Sequence, residues 1–159
     1  MTTAVFPGTF DPFTVGHLEI LKTTCKLFDE VHVLIGKNLQ KDSLFSAEKR
    51  EEMVRVVADV NNLKVQVSLF DGLITQYCNS HSIDAIVKGV RNFTDFEYEN
   101  SQAFFNSKLG KVPTVLIPTS PEIEYVSSTS VRQLINFNAD VSEYVPECIL
   151  AYVTEGSNG

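Results

Sequence analysis

Short β-type runs and amphipathic helical runs alternate along this chain from end to end, and that alternation constrains the fold more than any other feature. "TAVF" (residues 3–6) is a β-type run that ends at Pro7-Gly8. Over residues 16–28 the apolar residues Leu18, Leu21, Cys25 and Phe28 recur at steps of 3, 4 and 3, the spacing of one helix face. "VHVLIG" (31–36) reads as a buried strand, and Ser46 with Glu48 opens a helix running to about Val60. "LKVQVSL" (63–69) alternates as a strand does, "LITQYCNSH" (73–81) suits a short helix, and "DAIVKG" (84–89) is another strand. "FTDFEYENSQAFFNSKLG" (93–110) is a helix closed by Gly110, "TVLIP" (114–118) a fifth strand, and residues 127–137 and 141–153 are terminal helices. Strands and helices that alternate through short connections predict an α/β fold: one doubly wound domain around a five-stranded, mostly parallel sheet. With 159 residues and no repeat, linker or low-complexity tract, residues 1–159 are expected to form that single domain.

Composition narrows the class further. Hydrophobic residues at 43% and charged residues at 21% are those of an ordinary globular protein. No apolar run approaches the roughly 18 residues of a membrane span. The start, "MTTAVFPGTFDP", lacks the basic and apolar segments of a secretory signal, so a cytoplasmic protein with no membrane partner is expected. Cys25, Cys78 and Cys148 are widely spaced and odd in number; they read as small core residues in a reducing compartment. In that compartment the Asn92-Phe93-Thr94 sequon is chance. A net charge of −7 argues against a broad nucleic-acid or anionic-membrane surface, so positive charge that meets an anionic ligand must be concentrated locally. His32 and His81 read as packing or surface residues, and no histidine, cysteine or carboxylate spacing suggests a dedicated metal cage.

In a doubly wound sheet, ligands bind beyond the carboxyl ends of the strands, where the strand order reverses. The loops that matter therefore follow Phe6, Gly36, Leu69, Lys88 and Pro118. The first carries neither G-x-G-x-x-G nor G-x-x-x-x-G-K-[ST], and Gly110-Lys111 is followed by Val112, so both common nucleotide fingerprints are missing. What it does carry is "PGTFDPFTVGH" (7–17). Gly8 permits close backbone approach, Thr9 adds a hydroxyl and an amide, and Pro12 stiffens the loop. His17 stands where a helix begins, with its unpaired N–H groups and positive dipole end. Two readings fit: an imidazole that donates to a phosphate oxygen, or a helix-start histidine that caps or packs.

Three blocks carry a family resemblance. "PGTFDPFTVGH" closely resembles the signature of the T/H-x-G-H nucleotidyltransferase superfamily, with Thr14 in its first position and His17 in its last. "YVSSTSVR" (125–132) resembles that superfamily's I-S-S-T-x-x-R segment. "KGVRNFTDFEYE" (88–99) resembles the R-G-x-R…D-F-E-Y-E block of the bacterial phosphopantetheine adenylyltransferase family. The resemblance covers almost the whole chain. It implies a Rossmann-like fold and adenylyl transfer from ATP to 4′-phosphopantetheine, giving dephospho-coenzyme A and pyrophosphate. It also implies magnesium accompanying ATP, and a homohexamer.

The same resemblance implies roles for individual residues. His17 would stabilise the transition state, and Lys41 would steer the acceptor phosphate unless it is a solvated loop lysine. Thr9 would touch both substrates and Phe10 would contact ATP through its backbone. Ile74 would meet the acceptor; on its own it reads as core. Gly89, Val90 and Arg91 would hold ATP, and Glu99 matches a nucleotide-binding position, although a helix carboxylate is often only solvated. Ile123, Glu124, Tyr125, Val126, Ser127, Ser128 and Thr129 would cradle the nucleotide. Arg132 either reaches a phosphate or is surface charge. Lys88 departs from the family's arginine; it keeps the charge, loses the two-pronged grip, and is expected still to contact the acceptor phosphate. Two other classes share the architecture: an oxidoreductase, which should carry the missing glycine fingerprint, and a non-catalytic nucleotide-binding module, which has no need of His17.

Overall fold

The computed structural model of the chain describes residues 1–37 and 42–156. Five strands, β1 (Thr3–Gly8), β2 (Glu30–Gly36), β3 (Val65–Phe70), β4 (Ala85–Val90) and β5 (Thr114–Pro118), hydrogen-bond in the order β3-β2-β1-β4-β5. Each neighbouring pair is parallel, so the expected mostly parallel sheet is parallel throughout. Helices cover both faces. On one, α1 (Val15–Leu27), α2 (Ala47–Val60), α5 (Ser128–Asn136) and α6 (Leu150–Gly156) bury Ile20, Leu21, Met53, Val57, Val131 and Val153 against Phe6, Val33 and Val87. On the other, α3 (Ile74–Ser80) packs Tyr77 and Cys78 against Val5, Leu34 and Ile86, and α4 (Phe93–Gly110) lies beside it. Adjacent strand residues thus serve opposite faces, as the pleat requires.

The strand order reverses between β1 and β4, and there the two strands part. β1 runs through Pro7 and Gly8, two residues beyond the run read from sequence, because it stays paired to β2 (Pro7 with Leu34, Gly8 with Ile35). Its pairing to β4 comprises only Ala4 with Ala85 and Val5 with Ile86. A proline has no N–H to give a ladder, so Pro7 is tolerated in this central strand only where one side is unpaired. Beyond Val5 the β1/β4 seam is open, and the crevice that doubly wound sheets use for ligands begins at that proline.

One helix differs from expectation. The segment 141–153 is not one helix: Pro146 precedes a 3-10 turn, Glu147–Ile149, and α6 starts only at Leu150. α4 ends at Gly110, as expected, and Lys111 beyond it takes the left-handed conformation at φ 57°. Gly110 is a packing residue: a Cβ there would lie 2.7 Å from the Cβ of Thr75 on α3.

Candidate active site

The crevice holds two cavities that meet at the end of β1. One, of about 410 Å³, lies between β1, β2, β4, the start of α3 and one stripe of α4; its wall includes Leu34, Phe70, Ile74, Tyr98, Gln102 and Asn106. The other, of about 470 Å³, lies between β1, the start of α1, β4 and the start of α5, walled by His17, Gly89, Arg91, Ser127, Ser128 and Thr129 among others. Pro7, Gly8, Thr9, Lys88 and Glu99 line both. Lys88 Nζ is 3.4 Å from Glu99 Oε1, so a cation and its counter-charge stand at the junction.

His17 caps and packs, and its ring also walls the second cavity. Thr14 is the N-cap of α1, and its Oγ1 accepts from the His17 amide at 3.3 Å. In return the Thr14 amide donates to His17 Nδ1 at 2.9 Å. This is a capping box with histidine in the place usually held by glutamate or glutamine. It fixes the tautomer: Nδ1 carries a lone pair, so the neutral ring keeps its proton on Nε2, its one N–H donor. Phe10 and Phe13 flank the ring at centroid distances of 5.0 and 5.3 Å, with Phe6 at 6.5 Å. Burial, reinforced by the positive charges of Lys88 and Arg91, lowers the ring's pKa from 6.5 to about 4. At neutral pH the histidine is therefore an uncharged donor on the wall of the second cavity.

The remaining expected residues divide clearly. Thr9, Phe10, Gly89, Arg91, Glu99, Val126, Ser127, Ser128 and Thr129 wall the second cavity, and Thr9, Ile74 and Lys88 wall the first. Ser127 caps α5, its hydroxyl accepting from the Ser130 amide at 3.1 Å. Val90, Ile123, Glu124 and Tyr125 are not in the second cavity's wall; Ile123 packs on the core and Tyr125 against Tyr144. Lys41 lies outside the described residues. The space of a Gly8 side chain is taken by the Phe10 ring, 2.8 Å from where a Cβ would sit, so that glycine accommodates the aromatic box as well as the crevice. Arg132 is neither free surface charge nor aimed only at a ligand: Nη1 donates to the Asp11 carbonyl at 2.8 Å and Nη2 to Thr129 Oγ1 at 3.1 Å.

Four polar residues at the site carried no expected role of their own. Thr14 orients His17, and the S/T-x-x-H spacing at a helix start was its visible signal. Asp95 holds Arg91, its carboxylate 3.1 Å from Nε and accepting from the Arg91 amide at 3.1 Å. Asp11 is buried and accepts from the amides of Leu44 and Phe45 at 2.8 and 2.9 Å. Arg50 is buried beneath the first loop. Among the described residues no group of three or more histidines, cysteines or carboxylates is arranged to hold a metal ion.

A cytidylyltransferase-like family model matches residues 5–134. Phosphopantetheine adenylyltransferase of Bacteroides thetaiotaomicron is 42% identical over 147 residues, covering 92% of this chain and 97% of its own. The enzyme of that name from Streptomyces coelicolor is 40% identical over 156 residues, covering 98% and 97%. The chain belongs to the phosphopantetheine adenylyltransferase family. Membership makes it a nucleotidyltransferase. The fold extends to more distant proteins. A bifunctional NMN adenylyltransferase/ADP ribose pyrophosphatase from Francisella tularensis superposes with a TM-score of 0.78 at 16% identity, over 99% of this chain and 50% of that one. A putative nicotinate-nucleotide adenylyltransferase from Vibrio parahaemolyticus does so with 0.69 at 17%, over 100% and 98%.

Proposed function

We propose that this phosphopantetheine adenylyltransferase-family chain transfers the AMP unit of ATP to the phosphate of 4′-phosphopantetheine, giving dephospho-coenzyme A and pyrophosphate in the penultimate step of coenzyme A synthesis. The observation that carries this reading is the meeting of two cavities at one junction lined by Thr9, Lys88 and Glu99, with a neutral N–H donor on one side of it. The ATP sits on the His17 side, where the N-termini of α1 and α5 supply amides and dipole to its phosphates. The acceptor sits on the Ile74 side, whose mixed apolar and amide wall (Leu34, Phe70, Gln102, Asn106) suits a long chain bearing amide groups.

An acceptor phosphate oxygen attacks the α-phosphorus in line; the bond to the bridging oxygen breaks, and pyrophosphate leaves with that electron pair. The attacking oxygen is already ionised, so no general base is needed, and catalysis consists of alignment and charge stabilisation. His17 Nε2–H donates to the oxygen on which charge grows, a contribution of roughly 3–4 kcal/mol for one well-placed donor. Thr9 and Lys88 hold the incoming phosphate at the junction, with Lys41 assigned to the same phosphate. Magnesium would accompany ATP; Asp95 and Glu99, the carboxylates in the second cavity's wall, are paired to Arg91 and Lys88, and the ion would be held mainly by phosphate oxygens and water.

The enzyme acts in the cytoplasm on these two small molecules, without nucleic acid; no helix among the described residues is long and apolar enough to cross a membrane. It works as a homo-oligomer, a hexamer by family resemblance. In support, α4 has 18 residues, none of them buried, and leaves Phe93, Phe96, Phe104, Phe105 and Leu109 exposed. The test of substrate is pyrophosphate release from ATP with 4′-phosphopantetheine, nicotinate mononucleotide or glycerol phosphate as acceptor. Release with the first alone is expected; release with another alone reassigns the acceptor, and release with none turns the chain into a nucleotide-binding module.

A further inference from the structure

The largest fully buried side chain among the described residues is a cation. Arg50, near the start of α2, is 2% exposed, and its guanidinium donates to three backbone carbonyls. Nε reaches Phe45 at 3.1 Å, and Nη1 reaches Thr9 at 2.7 Å and Gly36 at 3.0 Å. Burying a guanidinium is costly, and an apolar side chain fills the same volume at lower cost where only packing is needed. What an apolar residue cannot do is bind carbonyls of separate segments at fixed distances.

The three carbonyls belong to the loop after β1, the end of β2 and the residue before the N-cap of α2. Thr9 and Gly36 both wall the first cavity, and Thr9 walls the second as well. Asp11 ties the same segments from the other side, through the amides of Leu44 and Phe45. We propose that Arg50 is a positioning residue for the phosphoryl-transfer step: it touches neither substrate, and its guanidinium fixes the Thr9 loop relative to the end of β2, at the point where the two cavities meet. Lysine keeps the charge but has a single nitrogen in place of the rigid planar fork. The inference rests on the adenylyl-transfer reading above.

The experiment compares Arg50→Lys with Arg55→Lys. Arg55 lies on the same helix and also donates to a carbonyl, that of Val67 on β3 at 2.7 Å, away from both cavities. Steady-state pyrophosphate release with ATP and 4′-phosphopantetheine is expected to show kcat of Arg50→Lys lowered about 10- to 100-fold with the KM for ATP within about threefold, since small misplacements act on the reacting geometry. Arg55→Lys is expected to keep both constants. An Arg50→Lys enzyme with wild-type kcat overturns the proposal, as does one that fails to fold while Arg55→Lys folds, which would assign Arg50 to stability alone. If the wild-type protein is itself inactive, the adenylyl-transfer reading fails, and amide hydrogen exchange decides on Arg50 separately. Faster exchange in peptides covering residues 7–13 and 42–46, with β4 and α5 unchanged, supports the clamp; unchanged exchange throughout removes it.

Discussion

At the scale of single residues, the site rests on a histidine that is neutral because of where it sits. Protonating it would place a charge beside Lys88 and Arg91 and inside an aromatic box, which is why its pKa falls to about 4. The sign of the consequence for stability follows. The unfolded chain takes up a proton below about pH 6.5, whereas the folded ring resists it down to about pH 4, so stability is lost as the pH falls through that window. Glutamine at this position keeps a capping-box acceptor for the Thr14 amide but does not titrate. Urea unfolding of wild type and His17→Gln at fixed protein concentration is expected to show wild type losing stability relative to the variant between pH 6.5 and 4, by up to roughly 3 kcal/mol. Parallel pH dependence in the two proteins would mean that the ring titrates normally.

At the scale of elements, the alternation of periodicities located five strands and the helices between them, because strand and helix spacing are local properties. What it could not show depends on contacts between distant segments. Pro7 looked like a terminator and is a strand residue, because only its β4 side lacks a partner. Arg50, in the helix that Ser46 opens, is buried under a loop about 40 residues away in sequence, and its partners are carbonyls, which have no sequence signature. The nucleotide-side residues that matched motifs were found together in the crevice; Val90, Ile123, Glu124 and Tyr125, carried over with their neighbours, were not in its wall. Gly110 ends α4 as its sequence position indicates, while its close contact with Thr75 is invisible locally. The left-handed position therefore falls on Lys111, a residue with a Cβ. Lys111→Gly is expected to raise the unfolding free energy by about 0.5–1 kcal/mol, and Gly110→Ala to lower it through the clash with Thr75. Chemical denaturation of the two variants checks both directions.

At the scale of the whole molecule, an acidic chain gathers Lys88 and Arg91 at a single seam, each with its own carboxylate partner. The exposed aromatic side of α4 is expected to be covered by other copies. Native mass spectrometry should give about 106 kDa, six times the 17.7 kDa chain, and Phe104→Asp should shift the population toward smaller species. A wild-type protein that stays at 17.7 kDa at micromolar concentration would contradict that assembly. The seam is expected to perform adenylyl transfer with His17 as the donor that binds the transition state. Steady-state pyrophosphate release by His17→Ala, with ATP and 4′-phosphopantetheine both saturating, tests it most directly. The kcat is expected to fall about 10²- to 10³-fold with the KM for ATP little changed; a variant that turns over at the wild-type rate would remove His17 from the chemistry.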